Sequence, residues 1–338
     1  MVSKSDFNKA VELLDRAKNV LITSHARVDG DACGSMAAIS DKLLADGKKV
    51  KSLLLSSLPK WYEFIFDEIP SVVGKDISEE QLKNELIPKA DLIVIVDTNS
   101  HNQLPGFAKY LEDSAKPILV IDHHVTSDRL GDVELVDITA AAAGLVVFDL
   151  FKYAGWKITG KIAESLFVAI ATDTGWLRFP NTDSRVHRCL AELIEAGASP
   201  TEIHKDIYEN FTYPRFKLMT AMLNTLQLHL DGRYASQYLL KSDFDATGAS
   251  YTDTENLIDE CQRINTVEAV SFFVELPDGR FKCSLRSRGL VDVRAISQEF
   301  GGGGHIMASG AHLDGNLENA QRIIFAKIAE QFAQIDTK

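Results

Sequence analysis

Short apolar segments alternate with helical patterns through the first half of this chain of 338 residues. Four segments are typical of strands: NVLITSH (19–25), KKVKSLLL (48–55), ADLIVIVD (90–97) and KPILVID (116–122). Several are almost continuously apolar, as expected for strands buried on both faces of a parallel sheet. Between the first two, residues 31–47 (DACGSMAAISDKLLADG) predict a helix that ends at Gly47. This strand–helix–strand order predicts a doubly wound α/β domain.

The pattern changes along the chain and predicts two domains with a connector. Further helices over 138–155 and 161–175 complete a parallel-sheet α/β domain at residues 1–190. Consecutive helical patterns predict a helical connector at 191–228. Residues 229–338 predict a smaller α+β domain with a mixed sheet, because strand patterns and turn signals are accompanied by two helices. Those strands are RYASQYLL, AVSFFVEL and GRFKCSLRS, and the helices cover 254–264 and 316–335.

The bulk composition limits what the chain binds. A net charge of −12 argues against broad binding to duplex DNA, which depends on basic residues that neutralise phosphates. A phosphate-containing substrate remains possible if metal ions or a few basic residues supply local positive charge.

The N-terminus predicts an amphipathic helix rather than a signal peptide, and no apolar run is long enough to span a bilayer. We therefore expect a cytoplasmic protein without a membrane partner. Four scattered cysteines favour neither a thiolate zinc site nor a disulfide framework: Cys33, Cys189, Cys261 and Cys283.

Acidic and imidazole side chains follow three of the predicted strands. The first strand ends at His25, and Asp29 and Asp31 follow in the next loop (SHARVDGDACGSM, 24–36). The ends of the third and fourth strands and of a later helix carry the rest: Asp97, Asp122, His123, His124, the more distant Asp128, and Asp173. Helix capping by Asp31 would explain one acid and leave His25 and Asp29 without a role. Since ligands bind beyond the carboxyl ends of parallel strands, we expect these side chains to share one cleft.

Carboxylates that converge in one cleft repel each other unless positive charge lies between them. Divalent cations are the simplest compensation. Carboxylate and imidazole donors without thiolate suit manganese or magnesium, with zinc, iron or cobalt as alternatives. The donors are numerous enough for two ions, an arrangement that hydrolyses phosphate esters.

The sequence resembles the DHH phosphoesterases. Their four ordered motifs are matched by SHARVDGDACGS (24–35), VDT (96–98), DHH (122–124) and ATDTG (171–175). SLRSRG (284–289) and GGGGHIMASG (301–310) resemble the basic strand and the glycine-rich segment of the DHH-associated C-terminal domain. The resemblance covers nearly the whole chain. The length and the two-domain layout are most similar to short bacterial members of NrnA type, which are oligoribonucleases that also dephosphorylate 3′-phosphoadenosine 5′-phosphate.

The resemblance implies two bound metal ions, with Mn²⁺ expected and Mg²⁺, Co²⁺ or Zn²⁺ as alternatives. His25 and Asp29 would bind mainly one ion. Asp31, His123 and Asp173 would bind the other, and Asp97 would bridge the two. Asp122 would be a ligand or would orient an imidazole. His124 would contact the scissile phosphate or protonate the leaving oxygen.

In the second domain the resemblance implies a site for the non-reacting end of a nucleotide, formed by Arg286, Ser287, Arg288, Gly303, Gly304 and His305. Arg286 and Arg288 alternate along a strand and so face the same side, which suits a bidentate grip on a phosphate. A solvated strand face is the alternative. The glycine run follows a predicted helix, DVRAISQEF, and would let backbone N–H groups approach an anion, although a flexible loop is also open.

The expected activity is hydrolysis of short oligoribonucleotides to mononucleotides and of 3′-phosphoadenosine 5′-phosphate to AMP. The expected partners are therefore short RNA or a nucleoside bisphosphate, and a homodimer stays open. The alternatives are a phosphodiesterase of cyclic or linear dinucleotide messengers, an exopolyphosphatase, and a nucleotide sensor without catalysis. The chain departs from the family at Val28, where members often have proline. Arg27 beside it carries a positive charge without an assigned role.

Overall fold

The chain folds into two units, each of which packs around apolar cores of its own. Unit 1 is Met1–Asn210 and unit 2 is Phe211–Lys338. The computed structural model describes residues 2–112, 114–304 and 306–337. The helices of the region expected as a connector (191–228) are therefore divided between the two units.

Unit 1 is built on a parallel sheet, as predicted, but the sheet has six strands rather than the four that the apolar segments indicated. Its strands are β1 (Asn19–Ser24), β2 (Lys49–Leu54), β3 (Ser71–Val72), β4 (Leu92–Val96), β5 (Ile118–Asp122) and β6 (Val133–Val136). Their order in the sheet is β3-β2-β1-β4-β5-β6. This order reverses direction between β1 and β4, and ligands bind at such a switch point in open α/β sheets.

Helices cover both faces of this sheet, so its strands are buried on both sides. They are α1 (Lys4–Arg16), α2 (Gly30–Ala45), α3 (Glu79–Gln81), α4 (Ile87–Lys89), α5 (Ala108–Glu112), α6 (Ala143–Ala154), α7 (Gly160–Asp173), α8 (Ser184–Glu195) and α9 (Pro200–Tyr208). A π-helical turn joins α3 to α4, and short 3₁₀ helices form at Lys60–Ile65 and His101–Gln103.

Close packing of α2, α6 and α7 depends on two glycines. A Cβ atom on Gly34 of α2 would lie 2.2 Å from the carbonyl oxygen of Ser165 in α7. A Cβ atom on Gly144 of α6 would lie 2.4 Å from the Cβ of Ala169, also in α7. Such distances are far below van der Waals contact, so larger side chains would force the helices apart. The close packing matters because all three helices carry groups of the candidate site.

Unit 2 contains the predicted mixed sheet. Its strands are β7 (Gln227–His229), β8 (Tyr234–Leu239), β9 (Ala269–Glu275), β10 (Phe281–Ser287), β11 (Gly303–Gly304) and β12 (Ala308–Leu313). The order is β11-β12-β10-β9-β8-β7, with β8 and β9 parallel and the other neighbours antiparallel. The helices are α10 (Tyr213–Asn224), α11 (Lys241–Thr247), α12 (Val293–Gln298) and α13 (Leu317–Asp336).

The structure differs from the sequence expectation in its short elements. The helix predicted over 254–264 forms instead as two 3₁₀ segments, Tyr251–Thr254 and Leu257–Arg263. Asn256 between them has a φ of 60°, which interrupts a right-handed helix. Strands β3, β6, β7 and β11 have two to four residues, too few for a recognisable alternation, and β12 was also not predicted. Among the described residues, no helix is long and apolar enough to cross a membrane.

Candidate metal centre

The site forms at the carboxyl ends of β1, β4 and β5, on both sides of the switch point. Ser24 at the end of β1 pairs with Val96 at the end of β4. The next residues along the two strands, His25 and Asp97, are therefore neighbours: Nε2 of His25 lies 3.2 Å from Oδ2 of Asp97. This contact brings together two residues that are 72 positions apart in the sequence.

Asp29 is the N-cap of α2. Its Oδ1 accepts hydrogen bonds from the backbone N–H groups of Asp31 and Ala32, each at 3.1 Å. The capping role that the sequence offered to Asp31 thus belongs to Asp29, because α2 begins at Gly30, two residues earlier than a cap at Asp31 would place its start. Oδ1 of Asp29 also lies 3.9 Å from Nε2 of His25, so capping does not remove Asp29 from the site.

Asp31 lies inside the first turn of α2 and is 1% exposed. Its Oδ2 accepts a hydrogen bond from the N–H of Ala143 at 2.6 Å, and its Oδ1 accepts one from Gly144 at 2.8 Å. These N–H groups begin α6, whose own N-cap residue, Ala142, makes no side-chain capping hydrogen bond. Asp31 therefore caps a helix that begins 112 residues further along the chain.

His123 faces three carboxylates through one ring atom. Its Nε2 lies 3.5 Å from Oδ1 of Asp97, 3.7 Å from Oδ2 of Asp31 and 3.7 Å from Oδ2 of Asp173. Its Nδ1 lies 3.3 Å from the carbonyl oxygen of Ala140. Because a carbonyl only accepts, Nδ1 carries the proton and Nε2 is the atom left for a ligand.

Asp97 is shared by the two sides of the site. It is 2% exposed and has a φ of 58°, a left-handed conformation that is uncommon outside glycine. Oδ2 contacts His25, whereas Oδ1 faces His123 and has no hydrogen-bond partner among the described residues although it is buried. A buried oxygen without a partner costs free energy unless a ligand satisfies it. Strained backbone at such a position is typical of a functional site.

Ligand atoms that lie within 4.8 Å of one another define two groups, which together hold all six predicted metal ligands. The outer group is His25, Asp29 and Asp97; the inner group is Asp31, His123 and Asp173. Asp97 and His123 also come together with His124 in a third set. Carboxylate oxygens and neutral imidazole nitrogens suit divalent cations such as Mn²⁺ and Mg²⁺, so the donors fit the ions that the sequence implied.

The pKa values show how much positive charge the site needs. Burial lowers the pKa of His25 and His123, but the surrounding carboxylates, Asp97 first, raise both to about 10. Burial, reinforced by Asp97 and opposed by His123, raises the pKa of Asp173 to about 7. Burial also raises the pKa of Asp31 well above its usual range. Without a cation, protons must supply the missing charge; a divalent ion would supply it at the same atoms.

Asp122 and His124 form a separate pair beside these groups. Oδ1 of Asp122 accepts hydrogen bonds from Nδ1 of His124 at 2.8 Å and from the backbone N–H of His123 at 2.8 Å. Its other oxygen, Oδ2, is buried without a hydrogen-bond partner among the described residues. The hydrogen bond to Asp122 is the main reason that the pKa of His124 is raised. Asp122 thus orients the imidazole of His124.

Asp128 is not part of the centre. Its Oδ2 accepts hydrogen bonds from the hydroxyl of Ser100 at 3.0 Å and the N–H of His101 at 2.8 Å. The carboxylate therefore ties together the loops that follow β4 and β5.

The loop at 137–142 holds the inner group in place and was not predicted to take part. Asp137, 1% exposed, donates its N–H to the carbonyl of Asp122 at 3.1 Å and accepts a hydrogen bond from Nη1 of Arg185 at 2.9 Å. The loop then supplies the Ala140 carbonyl that faces His123. Nδ2 of Asn181 links the carbonyl oxygens of Ala141 and Asp173, each at 3.1 Å. Backbone groups make most of these contacts. Since nearly every residue type provides them, the sequence does not reveal them.

In unit 2 the structure distinguishes the two arginines predicted to bind a phosphate. Arg286 lies on β10 and donates from Nε to Oδ1 of Asp259 at 3.1 Å and from Nη1 to the carbonyl of Leu285 at 3.2 Å. Arg288 lies just beyond the strand and donates to the carbonyl oxygens of Asn265, Gln262 and Ile264. Most donors of Arg288 are thus used within the protein, whereas Nη2 of Arg286 makes no hydrogen bond among the described residues.

Ser287 and the glycines have internal partners as well. Ser287 is 2% exposed, and its hydroxyl donates to Oε1 of Glu268 at 3.0 Å. Gly303 and Gly304 form β11, which pairs with β12. A Cβ atom on Gly304, whose φ is 138°, would lie 2.5 Å from the carbonyl oxygen of Ala308. The glycine run is therefore a tight strand pairing at this point rather than a flexible loop. His305 lies outside the described residues.

Comparison with known proteins identifies the family. The DHH family N-terminal domain matches residues 19–170, and the DHHA1 domain matches residues 231–334. The bifunctional oligoribonuclease and PAP phosphatase NrnA of Thermus thermophilus is 29% identical over 317 residues, which cover 93% of this chain and 90% of that protein. NrnA of Bacillus subtilis is 27% identical over 325 residues, which cover 95% of this chain and 96% of that protein.

A solved structure confirms the fold. An exopolyphosphatase-related protein from Bacteroides fragilis matches with a TM-score of 0.90 at 23% identity, covering 98% of this chain and 97% of that one. Both family domains are thus present in their expected order, on the expected fold, with a cluster of carboxylates and imidazoles suited to divalent ions. The chain belongs to the DHH family of phosphoesterases and is a metal-dependent hydrolase.

Proposed function

We propose that this protein hydrolyses short oligoribonucleotides to mononucleotides, and 3′-phosphoadenosine 5′-phosphate to AMP, with two divalent ions at the candidate centre. The observation that carries the proposal is the position of Asp97, whose two carboxylate oxygens face the outer and the inner group. A shared carboxylate is typical of two-metal phosphoesterases. The similarity to NrnA proteins supports the substrate classes, because it extends over nearly the whole chain.

In this proposal His25 and Asp29 would hold one ion, Asp31, His123 and Asp173 would hold the other, and Asp97 would contribute to both. Mn²⁺ is the expected ion, with Mg²⁺, Co²⁺ and Zn²⁺ as alternatives, since all accept oxygen and imidazole donors. A pair of divalent ions, when bound, lowers the pKa of a water molecule and offsets phosphate charge.

His124 acts on the substrate itself. Its Nδ1 is held by Asp122 at 2.8 Å, and its pKa is raised mainly by that hydrogen bond, so the ring can carry a proton on Nε2 near neutral pH. From that atom His124 would donate a hydrogen bond to the phosphate or a proton to the leaving oxygen. Asp122 would keep the ring in this orientation.

Unit 2 would bind the end of the nucleotide that is not hydrolysed. Nη2 of Arg286 would bind a phosphate, while Asp259 holds the guanidinium at Nε. Arg288 and Ser287 would keep the neighbouring segment in shape through their internal hydrogen bonds. Gly303, Gly304 and His305 would complete this site. A fixed terminal phosphate would favour short substrates cleaved from one end.

A substrate panel tests the proposal. The purified protein, supplied with Mn²⁺, would be assayed on RNA of two to five nucleotides, 3′-phosphoadenosine 5′-phosphate, pyrophosphate, polyphosphate and cyclic dinucleotides. We expect turnover of the RNA and the bisphosphate and none of pyrophosphate, because pyrophosphate has no nucleoside for unit 2 to bind. Equal turnover of pyrophosphate would overturn the substrate assignment. Preference for cyclic dinucleotides or polyphosphate would favour the corresponding alternative.

Two variants test the assignment of the site. The double variant Asp122→Ala, His123→Ala should lose all of these activities. Arg16→Ala is a matched control, because Arg16 is exposed at the end of α1 and pairs only with Glu12 among the described residues. Undiminished activity in the double variant would overturn the site, and an inactive control would point to a damaged preparation.

A further inference from the structure

The first motif contains an exposed arginine that the metal centre does not use. Arg27 lies between His25 and Asp29, two residues from each. Since consecutive Cα atoms are 3.8 Å apart, its Cα is within about 8 Å of both. An arginine side chain is long enough to reach an anion bound at either of these neighbours.

The backbone around Arg27 is held in an uncommon conformation. Its φ is 64°, in the left-handed region that costs an arginine about 1 kcal/mol or more. Hydrogen bonds fix the loop on both sides: the N–H of Ala26 donates to the carbonyl of Gln103 at 2.8 Å, and the N–H of Arg27 donates to the hydroxyl of Ser56 at 2.9 Å. Val28, next in the chain, is buried. The loop therefore presents the Arg27 side chain to solvent from a rigid base.

The guanidinium of Arg27 makes no hydrogen bond or ion pair with any described residue. Its positive charge stands out locally, because the chain has a net charge of −12 and the same motif carries Asp29 and Asp31. Several other exposed arginines pair with nearby acids, as in Arg16–Glu12, Arg263–Glu260 and Arg280–Asp278. Arg280 and Asp278 are two residues apart, as Arg27 and Asp29 are. Asp29, however, uses Oδ1 to cap α2 and makes no ion pair with Arg27.

We infer that Arg27 binds a phosphate of the substrate, namely the phosphodiester next to the cleaved one that only substrates of three or more nucleotides possess. This inference rests on the proposed function. There, unit 2 takes the terminal phosphate, and the metal centre with His124 takes the scissile one. A substrate of three or more nucleotides brings a further phosphate past the carboxylates of the centre. An unpaired cation on a ligand-bearing loop offsets that repulsion.

The inference predicts a dependence on substrate length. Arg27→Ala should raise KM for 5′-phosphorylated tri- and tetranucleotides about 5- to 20-fold, as expected for loss of a charged hydrogen bond. It should change KM for the dinucleotide and for 3′-phosphoadenosine 5′-phosphate by less than twofold, since neither has the additional phosphate. Loss of one phosphate contact should also lower the slope of log KM against log salt by about 0.7 for the trinucleotide alone.

Two further variants separate charge from backbone conformation. Arg27→Lys keeps the charge and should recover part of the loss. Arg27→Gly removes the charge but adopts a φ of 64° without strain, so it should show the KM values of Arg27→Ala and a melting temperature at or above that of the wild type. If Arg27→Gly behaved as the wild type towards trinucleotides, the loop rather than the guanidinium would be responsible and the inference would fail.

Arg188→Ala is the matched control. Arg188 is also exposed and makes no ion pair with any described residue of the same unit. It lies on α8, which carries none of the candidate metal ligands. This variant should keep the wild-type dependence on length.

The outcomes distinguish this inference from the proposed function. A wild-type protein that cleaves none of these substrates would overturn the proposed function. A wild type that cleaves them all, with Arg27→Ala unaffected or equally impaired on di- and trinucleotides, would overturn the Arg27 inference alone.

Discussion

The outer and inner groups offer similar ligands in different settings. In the outer group, His25 and Asp29 come from one loop, and the side chain of Asp29 is 57% exposed. In the inner group, Asp31, His123 and Asp173 come from α2, the end of β5 and the end of α7, and the side chain of Asp31 is 1% exposed. Asp29 caps its own helix, whereas Asp31 caps a different one.

The two groups are therefore coupled to the fold to different degrees. A carboxylate that binds the N–H groups of Ala143 and Gly144 cannot move without releasing the start of α6. Asp29 can be replaced by any good N-cap residue without loss of its structural role. We therefore expect the inner ion to be held more tightly and the outer ion to exchange more readily.

The largest effect is expected at the residue that both groups share. Asp97→Asn should lower kcat at least about 1000-fold, about 4 kcal/mol in the barrier, because the bridge between the ions is lost. Calorimetric titration with Mn²⁺ should also show fewer than two sites per chain. Normal stoichiometry in this variant would show that the groups do not depend on a common ligand.

Asp31→Asn should have the next largest effect. Both oxygens of Asp31 accept backbone N–H groups, whereas an asparagine offers only one acceptor oxygen. The side-chain NH₂ group of the asparagine would therefore face the N–H of Ala143 or Gly144. We expect kcat to fall roughly 100-fold or more and to stay low when Mn²⁺ is raised to millimolar concentrations. Full recovery in excess Mn²⁺ would contradict the structural role of this carboxylate.

Asp29→Asn should give a smaller and reversible loss. Asparagine caps helices as well as aspartate, so the melting temperature in EDTA should match that of the wild type. Activity at micromolar Mn²⁺ should fall about tenfold and recover in part as Mn²⁺ is raised, since one ligand of the outer ion is weakened. If Asp29→Asn and Asp31→Asn responded equally to Mn²⁺, the proposed difference between the groups would be wrong.

The smallest effect is expected at the support of the inner group. Burial alone would raise the pKa of Asp137, but hydrogen bonds from Thr139 and Arg185 hold it below its usual range. Arg185→Met would remove the guanidinium that binds this buried carboxylate. We expect a loss of ~2–3 kcal/mol in the free energy of unfolding, since Arg185 is partly exposed. Mn²⁺ affinity should fall about tenfold, because the 137–142 loop holds the inner group in place.

Asp149→Asn is the control for that variant. Asp149 is the second partner of Arg185, but its side chain is 36% exposed and lies on α6 outside the loop. This variant should lose less stability and keep its Mn²⁺ affinity. If Arg185→Met and Asp149→Asn lost the same amount of Mn²⁺ affinity, the 137–142 loop would not be the cause of the loss.

Much of the site could be predicted from sequence because parallel strands end at one edge of a sheet. The apolar runs before His25, Asp97 and Asp122 located those strand ends, so the three residues were expected to lie together. Asp173, at the end of a later helix, was expected in the same cleft, and it does lie next to His123.

The remaining features depend on contacts that leave no mark in a sequence. The carbonyl of Ala140 and the N–H groups of Ala143 and Gly144 belong to the backbone. Nearly every residue type has such groups, so the sequence does not predict their role. The capping residue of α2 was displaced by two positions, because helix boundaries are uncertain by one or two residues. In unit 2, Arg288 looked like a partner of Arg286 on a strand face, but its donors go to carbonyl oxygens at the end of a 3₁₀ helix.

The most direct test of the account is electron paramagnetic resonance of the wild-type protein titrated with Mn²⁺. We expect two bound ions per chain, with the spectrum of an exchange-coupled pair in the wild type and its loss in Asp97→Asn, since the ions of a two-metal site lie about 3.5–4 Å apart. One ion per chain, or two uncoupled ions in the wild type, would contradict the account.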